Sequence, residues 1–508
     1  MNRREFGSGS LAACLRASAL GCALAVLASS FAEAAVFVPN ADYHMANRSY
    51  CGISSIAVSA SGHRLWATWY ASPTGDEDSN NYAILATSDD RGEHWREVLV
   101  YDPDGLGPRR VFDPEVWVSP DGKLRWTFTD RVAPLRATAK KGENGCSADP
   151  RNDRLMMVTL DAERIPAAPF PEPVQIGRGV MMCKPIVLRN GNWLLPVAHW
   201  KEAPSACALK STDGGKTFHE LGGVTLPEGE RLFDEHNFLE LRDGTIRAYI
   251  RVLHGPHACW QADSKDGGRT WSEPKPCAFA HCTSRVFVRR LSSGAVLLVK
   301  NGPLDMDVGR RQMTAYVSYD DAETWQGGLV LSDGADPCAY PDGDQGPDGT
   351  IYLTWDGRRG TYGDVHLARF CENDVRIRRL FFEQKKNLAD SKLNGLIMKK
   401  YHGVAQEFDG TVDESTRAVR LVETTVYRVS GRTMTVEADC EDLRVELLDG
   451  LFRPIPGFTF ADCSPIAGAG VKAVAWKGRP DLSLALGRDV TVRFRLTKGS
   501  LKSFRFED

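Results

Sequence analysis

The segment Ser264 to Trp271 reads S-K-D-G-G-R-T-W, and three near-copies of it occur elsewhere in the chain. The shared pattern is Ser-x-Asp-x-Gly-x-Thr followed by an aromatic residue. The four copies start 123, 53 and 54 residues apart, so the long first gap predicts one eroded copy within it. A fixed period of this length is typical of folds whose repeats stack or radiate. The other copies are S-D-D-R-G-E-H-W at Ser88–Trp95, S-T-D-G-G-K-T-F at Ser211–Phe218 and S-Y-D-D-A-E-T-W at Ser318–Trp325.

Each copy has the chemistry of a hairpin turn. The Asp carboxylate can accept turn N–H groups, Gly permits an unusual backbone, and the aromatic side chain packs beneath the turn. Short alternating runs flank the copies, and each follows an Asp-Gly turn; they are Leu124–Phe128, Ile246–Arg251 and Ile351–Trp355. Four short strands per period are typical of a propeller blade. We therefore predict an all-β protein in which residues 36–375 form a β-propeller, roughly six-bladed.

The first 34 residues are typical of an export signal. They carry Arg3-Arg4, an apolar run over Ala17–Leu27 and the small-residue cleavage site Ala32-Glu33-Ala34. The run is shorter than the ~20 apolar residues of a membrane span. We therefore expect a Tat- or Sec-type signal peptide over 1–34, a periplasmic or extracellular bacterial protein, and no membrane span.

The C-terminal part of the chain has no copy of the motif. Residues 376–400 are predicted to be a connector, and residues 401–508 a β-sandwich accessory domain that either binds carbohydrate or packs on the propeller. The strand-like runs that predict this sandwich are Thr433–Ala438, Leu443–Leu448, Val471–Trp476, Val490–Leu496 and Leu501–Phe506.

Composition excludes several classes of protein. The 508 residues include 63 Lys and Arg against 66 Asp and Glu, a formal net charge of −3, with 42% apolar residues. These values exclude a disordered or fibrous chain, and they argue against nucleic-acid binding, which calls for excess positive charge. Of 13 cysteines, Cys277 with Cys282 and Cys440 with Cys463 are the local pairs to test as disulfides. The chain has no C-x-x-C zinc pattern, so we expect no structural zinc site. No feature demands a metal or another cofactor, and a structural Ca²⁺ on the Asp-rich turns is the one alternative left open.

The repeated motifs resemble the Asp boxes of the sialidase (neuraminidase) superfamily, and the resemblance covers about 36–375. It implies a sialidase-like propeller whose central site holds an arginine triad and a Tyr–Glu nucleophile pair. The segment Asp234-Glu235-His236 is similar to the one that carries the catalytic Glu. The implied residues are Glu235 and Tyr340 as the nucleophile pair, Arg251 and Arg310 as the second and third arginines, and Asp356 as the carboxylate that braces the first arginine.

The sequence departs from this family at the first arginine. Gly52 stands where the family has that residue, which weakens bidentate binding of a substrate carboxylate. Arg109 or Arg110 could replace it from another loop. The acid/base Asp is also not assigned to a single position, because three acidic residues lie near the expected place. These three are Asp76, Glu77 and Asp78. The candidates for the acid are Asp78, from this group, and Asp113, from another part of the sequence.

The residues also support a site when they are considered without the family. Inner strands of a propeller converge on its axis, so polar residues at strand ends are expected to meet there. Three adjacent ionisable residues before a strand, Asp234-Glu235-His236, are the strongest such group. A Tyr beside a carboxylate is a usable nucleophile for a glycosidase. Besides Arg251, Arg310 and Asp356, the expected substrate-binding residues are Asp234, His236, Arg110 and Lys184.

The leading hypothesis is an exported glycoside hydrolase that removes a terminal, acidic sugar from a polysaccharide or glycoconjugate. One alternative is a uronate-specific polysaccharide lyase on the same propeller, in which Tyr340 or His236 acts as base and Arg251 neutralises the uronate. Another is a non-catalytic propeller that only binds glycans. The expected partner is carbohydrate in all three cases.

Overall fold

The computed structural model describes residues 35–133, 150–255, 257–332, 337–359, 363–377, 386–387, 420–448 and 454–507. The predicted export signal (1–34) and most of the predicted connector (376–400) lie outside these residues. Among the described residues the protein is almost entirely β, as predicted, and none of its helices is long and apolar enough to cross a membrane.

Six antiparallel sheets follow one another along the described part of residues 36–387. Sheets 2 to 6 have four strands in chain order, and sheet 1 has a fifth, N-terminal strand beside β5. The strands are β1 (Val36–Phe37), β2 (Tyr50–Val58), β3 (Leu65–Ser72), β4 (Tyr82–Ser88) and β5 (Arg96–Tyr101) in sheet 1; β6 (Arg109–Val118), β7 (Lys123–Val132), β8 (Arg154–Asp161) and β9 (Val174–Arg178) in sheet 2; β10 (Ile186–Val187), β11 (Trp193–Ala198), β12 (Ala206–Ser211) and β13 (His219–Val224) in sheet 3; β14 (His236–Glu240), β15 (Ile246–Arg251), β16 (Cys259–Ser264) and β17 (Lys275–Pro276) in sheet 4; β18 (Phe287–Arg290), β19 (Val296–Asn301), β20 (Met313–Ser318) and β21 (Gln326–Val330) in sheet 5; and β22 (Cys338–Gln345), β23 (Thr350–Gly357), β24 (Asp364–Cys371) and β25 (Lys386–Asn387) in sheet 6. The helices among the described residues are α1 (Glu372–Ile377) and four 3-10 turns at Ala41–Tyr43, Met45–Asn47, Pro150–Asn152 and Glu228–Glu230.

The first strands of the sheets contact one another around a common axis, which is the arrangement of a propeller. Strand β2 contacts β6 on one side and β22 on the other, and β14 contacts both β11 and β18. Contact between β2 and β22 joins the last sheet to the first.

Carboxylates of sheet 6 bind the backbone of β2 and so close the ring. Asp342 Oδ1 accepts from the Ile56 N–H over 2.9 Å, and Asp344 Oδ2 accepts from the Val58 N–H over 3.0 Å. Asp356 Oδ2 accepts from the Ile53 N–H over 2.9 Å. A carboxylate that accepts a backbone N–H makes a charge-assisted hydrogen bond, so charged side chains reinforce the contact between the two ends of the propeller.

The repeated motifs form the turns that join the third and fourth strands of their sheets. In sheet 4, Asp266 accepts from the Thr270 N–H over 3.0 Å and from the Thr270 hydroxyl over 2.6 Å, while Ser264 Oγ accepts from the Gly268 N–H over 2.9 Å. The Trp271 ring stacks on Phe238 with 5.5 Å between centroids. In sheet 2 the equivalent connection is 162–173, which lacks the motif and occupies the place of the predicted eroded copy.

A buried ionic cluster fills the axis between the inner strands. Lys184 Nζ lies 2.6 Å from Asp342 Oδ1 and donates over 2.8 Å to Ser55 Oγ, which ties it to β22 and β2. Glu115 Oε2 of β6 is 3.8 Å from the same ammonium, and Glu115 Oε1 is 3.1 Å from Arg285 Nη1. All of these charged side chains are at most 2% exposed. Lys184, predicted to bind substrate, is therefore part of this cluster.

The described C-terminal residues form a single sheet, sheet 7, in the order β26 (Arg420–Arg428), β29 (Asp489–Glu507), β27 (Thr433–Leu448) and β28 (Ile466–Ala473). The predicted two-sheet sandwich is not seen in this part of the chain and stays a prediction. Four of the predicted short strands merge into two long ones. The predicted break near Gly499 is wrong, because Gly499 pairs with Cys440 inside the ladder.

The ten cysteines among the described residues form no disulfide with one another, so neither predicted disulfide is present. Cys277 Sγ instead lies 3.7 Å from Cys259 Sγ on the neighbouring strand β16. Cys440 and Cys463 each donate to a backbone carbonyl, of Ile466 and Ser464 respectively.

Replacing Lys184 should destabilise the propeller strongly. Lys184→Met leaves buried carboxylates without their ammonium, so we expect the free energy of unfolding to fall by about 3–5 kcal/mol. The control is Lys498→Met, which removes an ion pair to Glu441 whose side chains are 59% and 62% exposed, and should cost less than about 1 kcal/mol. Denaturant unfolding followed by tryptophan fluorescence measures both, and equal small shifts would show that the axial cluster is not stabilising.

Candidate active site

A pocket of about 420 Å³ opens where three inner strands are interrupted. Strands β2, β6 and β22 each carry a β-bulge, and at each bulge one residue has a left-handed backbone: Ile53 (φ 49°), Asp113 (φ 49°) and Tyr340 (φ 55°). Such bulges re-aim side chains and are frequent beside active sites. The pocket is lined by Tyr50, Ile53, Gly75, Asp76, Glu77, Arg110, Asp113, Met182, Trp200, Phe233, Glu235, Arg251, Arg310, Tyr340 and Arg359.

Tyr340, Glu235 and Arg251 form a closed triangle of hydrogen bonds in the pocket. The Tyr340 hydroxyl lies 3.0 Å from Glu235 Oε1, and Arg251 Nη1 donates to Glu235 Oε1 over 2.5 Å and to the Tyr340 oxygen over 2.9 Å. All three side chains are buried. Burial and then the Glu235 carboxylate raise the pKa of Tyr340, so the phenol is neutral and needs a base before it can act as a nucleophile.

Arg359 occupies the space that Gly52 leaves open. A Cβ atom at Gly52 would lie 2.4 Å from Arg359 Cδ, far inside van der Waals contact. The Arg359 guanidinium pairs with Asp356, with 3.2 Å between Nε and Oδ2, and its Cζ lies 4.6 Å from the centre of the Tyr340 ring. Asp356 therefore pairs with an arginine that follows β23, and not with one on β2.

Arg310 approaches the same tyrosine from another side. Its Cζ lies 5.2 Å from the centre of the Tyr340 ring, and its Nη2 donates to the Thr283 carbonyl oxygen over 3.0 Å. Arg251, Arg310 and Arg359 therefore surround Tyr340, and guanidinium groups that converge in this way can bind a carboxylate.

A second carboxylate, Glu77, faces these arginines. It lies 3.2 Å from Arg110 Nη2 and 3.5 Å from Arg359 Nη1, and it accepts hydrogen bonds from the hydroxyls of Tyr50 (2.7 Å) and Tyr70 (2.9 Å). Burial opposes its ionisation, but the two arginines and two hydroxyls outweigh burial and lower the pKa of Glu77 to about 2. Glu77 is therefore a permanent anion that orients its cationic neighbours.

Asp113 has the opposite character. Its side chain is buried, and its Oδ1 atom has no hydrogen-bond partner. Burial, opposed by Arg110 but reinforced by Glu77 and Glu235, raises the pKa of Asp113 to about 8. Near neutral pH this carboxyl group is protonated and can donate a hydrogen bond or a proton.

The structure places five predicted site residues outside the pocket. Asp78 accepts from the Thr74 hydroxyl and the Asn80 N–H of its own loop, whereas its neighbour Asp76 is exposed and lines the pocket. Asp234 binds Arg231. His236 contacts the carbonyl oxygens of Asp234 and Cys207. Lys184 belongs to the axial cluster, and Asp356 pairs with Arg359 without lining the pocket.

Neither predicted substitute for the first arginine behaves as expected. Arg109 pairs with Asp130 outside the pocket, while Arg110 lies in the pocket but is held by Glu77 and Asn81. Sequence reasoning missed Arg359, although its position three residues after Asp356 was a usable signal. It also missed the apolar wall, where Trp200 packs on Phe233 with 5.1 Å between ring centroids.

Residues 158–353 match the family model of the BNR repeat-like domain. No curated protein matches the chain in sequence. Among solved structures, a Hadza microbial sialidase is 18% identical with a TM-score of 0.51, over 64% of this chain and 66% of that one. The leech intramolecular trans-sialidase is 14% identical with a TM-score of 0.51, over 67% and 71%. The NanB sialidase of Streptococcus pneumoniae is 14% identical with a TM-score of 0.51, over 67% and 70%.

At these low sequence identities, the structural similarity shows a shared fold. The BNR repeat-like match is consistent with the resemblance to the sialidase superfamily that the Asp boxes indicated. The matched residues run from β8 in sheet 2 into β23 in sheet 6, so they include Glu235, Arg251 and Tyr340.

The protonation of Asp113 should appear as a pH-dependent stability difference. Between about pH 4 and about pH 8 the folded protein keeps a proton on Asp113 that the unfolded chain has lost, so the wild type loses stability as pH rises through that window. Asn cannot ionise, so the Asp113→Asn variant does not lose this stability. Its free energy of unfolding relative to wild type should therefore rise between about pH 4 and about pH 8, by up to about 1.4 kcal/mol per pH unit. Chemical unfolding at both ends of the window measures this difference.

The control for this experiment is Ser54→Ala, which also alters a buried polar side chain but removes no titrating group. Its stability difference from wild type should be constant over the same pH range. A constant difference for Asp113→Asn as well would mean that Asp113 is ionised in the folded protein.

Proposed function

We propose that the protein is a glycoside hydrolase that removes a terminal anionic sugar, with Tyr340 as nucleophile and Glu235 as its base. The observation that carries this proposal is the 3.0 Å hydrogen bond between the Tyr340 hydroxyl and Glu235 in a pocket surrounded by arginines. A Tyr–carboxylate pair is one of the known alternatives to the two-carboxylate arrangement of most glycosidases. The signal-like residues 1–34 support a site of action outside the cytoplasm, in the periplasm or beyond the cell.

The proposed chemistry is a double displacement. The Tyr340 oxygen bonds to the anomeric carbon, Glu235 takes the phenolic proton, and the glycosidic oxygen leaves with a proton from a second acid. Water then attacks the anomeric carbon and gives its proton to the second acid, which regains the proton that it lost, while the Tyr340 oxygen leaves and takes its proton back from Glu235. Arg251 contacts both Glu235 and Tyr340 and would stabilise negative charge as it moves between them.

Position favours Asp76 as the second acid. A leaving group departs through the pocket mouth, and Asp76 is exposed there, whereas Asp113 is buried. A protonated Asp113 would instead donate a hydrogen bond to the bound sugar. This differs from the expectation for Asp78, whose oxygens are used by its own loop.

The arginines support an anionic substrate. The substrate carboxylate would be bound by Arg251, Arg310 and Arg359, so that Arg359 compensates for Gly52. The carboxyl groups of Glu77 and Asp356 flank Arg359 and reduce its freedom to move, which preorganises the site for a bidentate contact.

The lyase alternative loses one of its two candidate bases. His236 does not line the pocket, its ring nitrogens face carbonyl oxygens, and burial lowers its pKa. Tyr340 remains as a base for elimination, and its products would differ, because elimination leaves an unsaturated uronate that absorbs in the near ultraviolet whereas hydrolysis leaves a saturated sugar.

Tyr340→Phe should abolish hydrolysis of a fluorogenic sialoside or uronide by the purified protein. Losing the nucleophile is expected to lower kcat by roughly 10³-fold or more. Tyr352→Phe is the matched control, because Tyr352 lies on the adjacent strand β23 but packs in an apolar cluster with Leu65 and Leu367. Release of sugar by Tyr340→Phe at the control's rate would reject the proposed nucleophile, and an unsaturated product would indicate a lyase. Binding without any product from the wild type would indicate a glycan-binding propeller.

Arg359→Ala should weaken binding of the substrate carboxylate. Losing one guanidinium–carboxylate contact in a buried site costs about 2–5 kcal/mol, so KM for an acidic glycoside should rise by at least about tenfold. Arg358→Ala is the control, because Arg358 precedes Arg359 but pairs with Asp364 and does not line the pocket. An unchanged KM in Arg359→Ala would mean that Arg359 only supports the fold.

A further inference from the structure

A second cluster of donor atoms lies in sheet 3, outside the pocket. His199 follows β11, Cys207 is the second residue of β12, and Glu220 is the second residue of β13. One ligand atom from each of the three side chains lies within 4.8 Å of the other two. Within the described ranges, this is the one group of three or more His, Cys, Asp and Glu residues whose donor atoms converge so closely.

The histidine in this cluster has an unsatisfied nitrogen. The His199 side chain is 2% exposed, and its Nε2 atom is buried with no hydrogen-bond partner. Glu220 Oε1 is 3.3 Å away, near enough to interact but not in hydrogen-bond geometry. Two ligand atoms about 2.0–2.1 Å from one tetrahedral metal ion lie roughly 3.3–3.4 Å apart, so the spacing suits two ligands of a shared ion.

We propose that His199, Cys207 and Glu220 bind a zinc ion through imidazole nitrogen, thiolate sulfur and carboxylate oxygen. Nitrogen, sulfur and oxygen are the donors that zinc takes in proteins, and three protein ligands leave a fourth tetrahedral position for water. Cys207 donates at present to the Pro204 carbonyl oxygen over 3.4 Å. On binding it loses its proton to solvent and forms the bond to zinc in place of that weak contact.

The surroundings support the three ligands. The buried, unpartnered His199 Nε2 atom lies beside the Glu220 carboxylate. Arg178 Nε lies 3.9 Å from Glu220 Oε2, the oxygen that does not face His199, and its two terminal nitrogens are paired with Glu202. Arg178 can therefore orient Glu220 without occupying the place of the ion.

The proposed ion would join the ends of three consecutive strands next to the pocket. His199 immediately precedes Trp200, whose ring forms the apolar wall with Phe233. None of the three ligands lines the pocket, so the ion would fix the segment that positions this wall rather than take part in the reaction.

The test uses the purified, reduced, chelator-treated protein with Zn²⁺ for metal content and Co²⁺ as a spectroscopic probe. We expect about one zinc ion per chain, a tetrahedral Co²⁺ spectrum with a thiolate-to-metal charge-transfer band, and a higher thermal midpoint with zinc than without. Cys207→Ser should lose that band, while Cys277→Ser, which alters another buried cysteine, should keep it.

Glu220→Gln provides a variant whose folding is not at risk, because the Glu220 side chain is 41% exposed. It should weaken zinc binding by roughly tenfold or more. Zinc content no higher in the wild type than in Cys207→Ser, or a charge-transfer band that survives in Cys207→Ser, would overturn the proposal.

Discussion

The contact between the last sheet and the first determines the rest of the structure. Asp342 is at its centre, because this one carboxylate binds the Ile56 N–H of β2 and the Lys184 ammonium on the axis. Two residues earlier in the same strand, the β22 bulge turns Tyr340 toward Glu235, which lies 105 positions away in the sequence. The geometry of the proposed nucleophile pair therefore depends on convergence at the axis, since Glu235 directly precedes β14 of sheet 4 whereas Tyr340 lies in β22 of sheet 6.

The pocket carries more positive than negative groups, although the protein has a formal net charge of −3. Four arginines line it, Arg110, Arg251, Arg310 and Arg359, against the carboxylates of Asp76, Glu77 and Glu235. Burial raises the pKa of Asp113 and keeps it neutral near pH 7, so this group does not cancel the excess of positive charge. A cleft lined by one sign of charge concentrates ligands of the other sign. The local field thus favours anionic ligands even though the whole molecule repels them weakly.

The part of the structure that could be predicted best from the sequence is the part that repeats. The Asp boxes recur with a fixed period, and each forms a self-contained turn, so the all-β propeller-type architecture could be inferred locally. Glu235, Arg251, Arg310 and Tyr340 come together because inner strands converge. Arg359 could not be found in this way, because its replacement of the first arginine depends on a packing contact with Gly52 across the closure of the ring. The loop around Asp78 and the β-ladder at Gly499 were misjudged because hydrogen bonding within the loop and pairing between long strands outweigh local residue preferences.

The contact between Gly52 and Arg359 also constrains how this protein can evolve. Any side chain at position 52 would displace Arg359, because the space for a Cβ atom is already filled. An arginine introduced at position 52 would therefore displace one guanidinium as it supplied another. A change at position 52 alone does not improve on the present arrangement, and neither does a change at position 359 alone. The two positions form an epistatic pair, and descendants of this chain are expected to retain both residues or exchange both together.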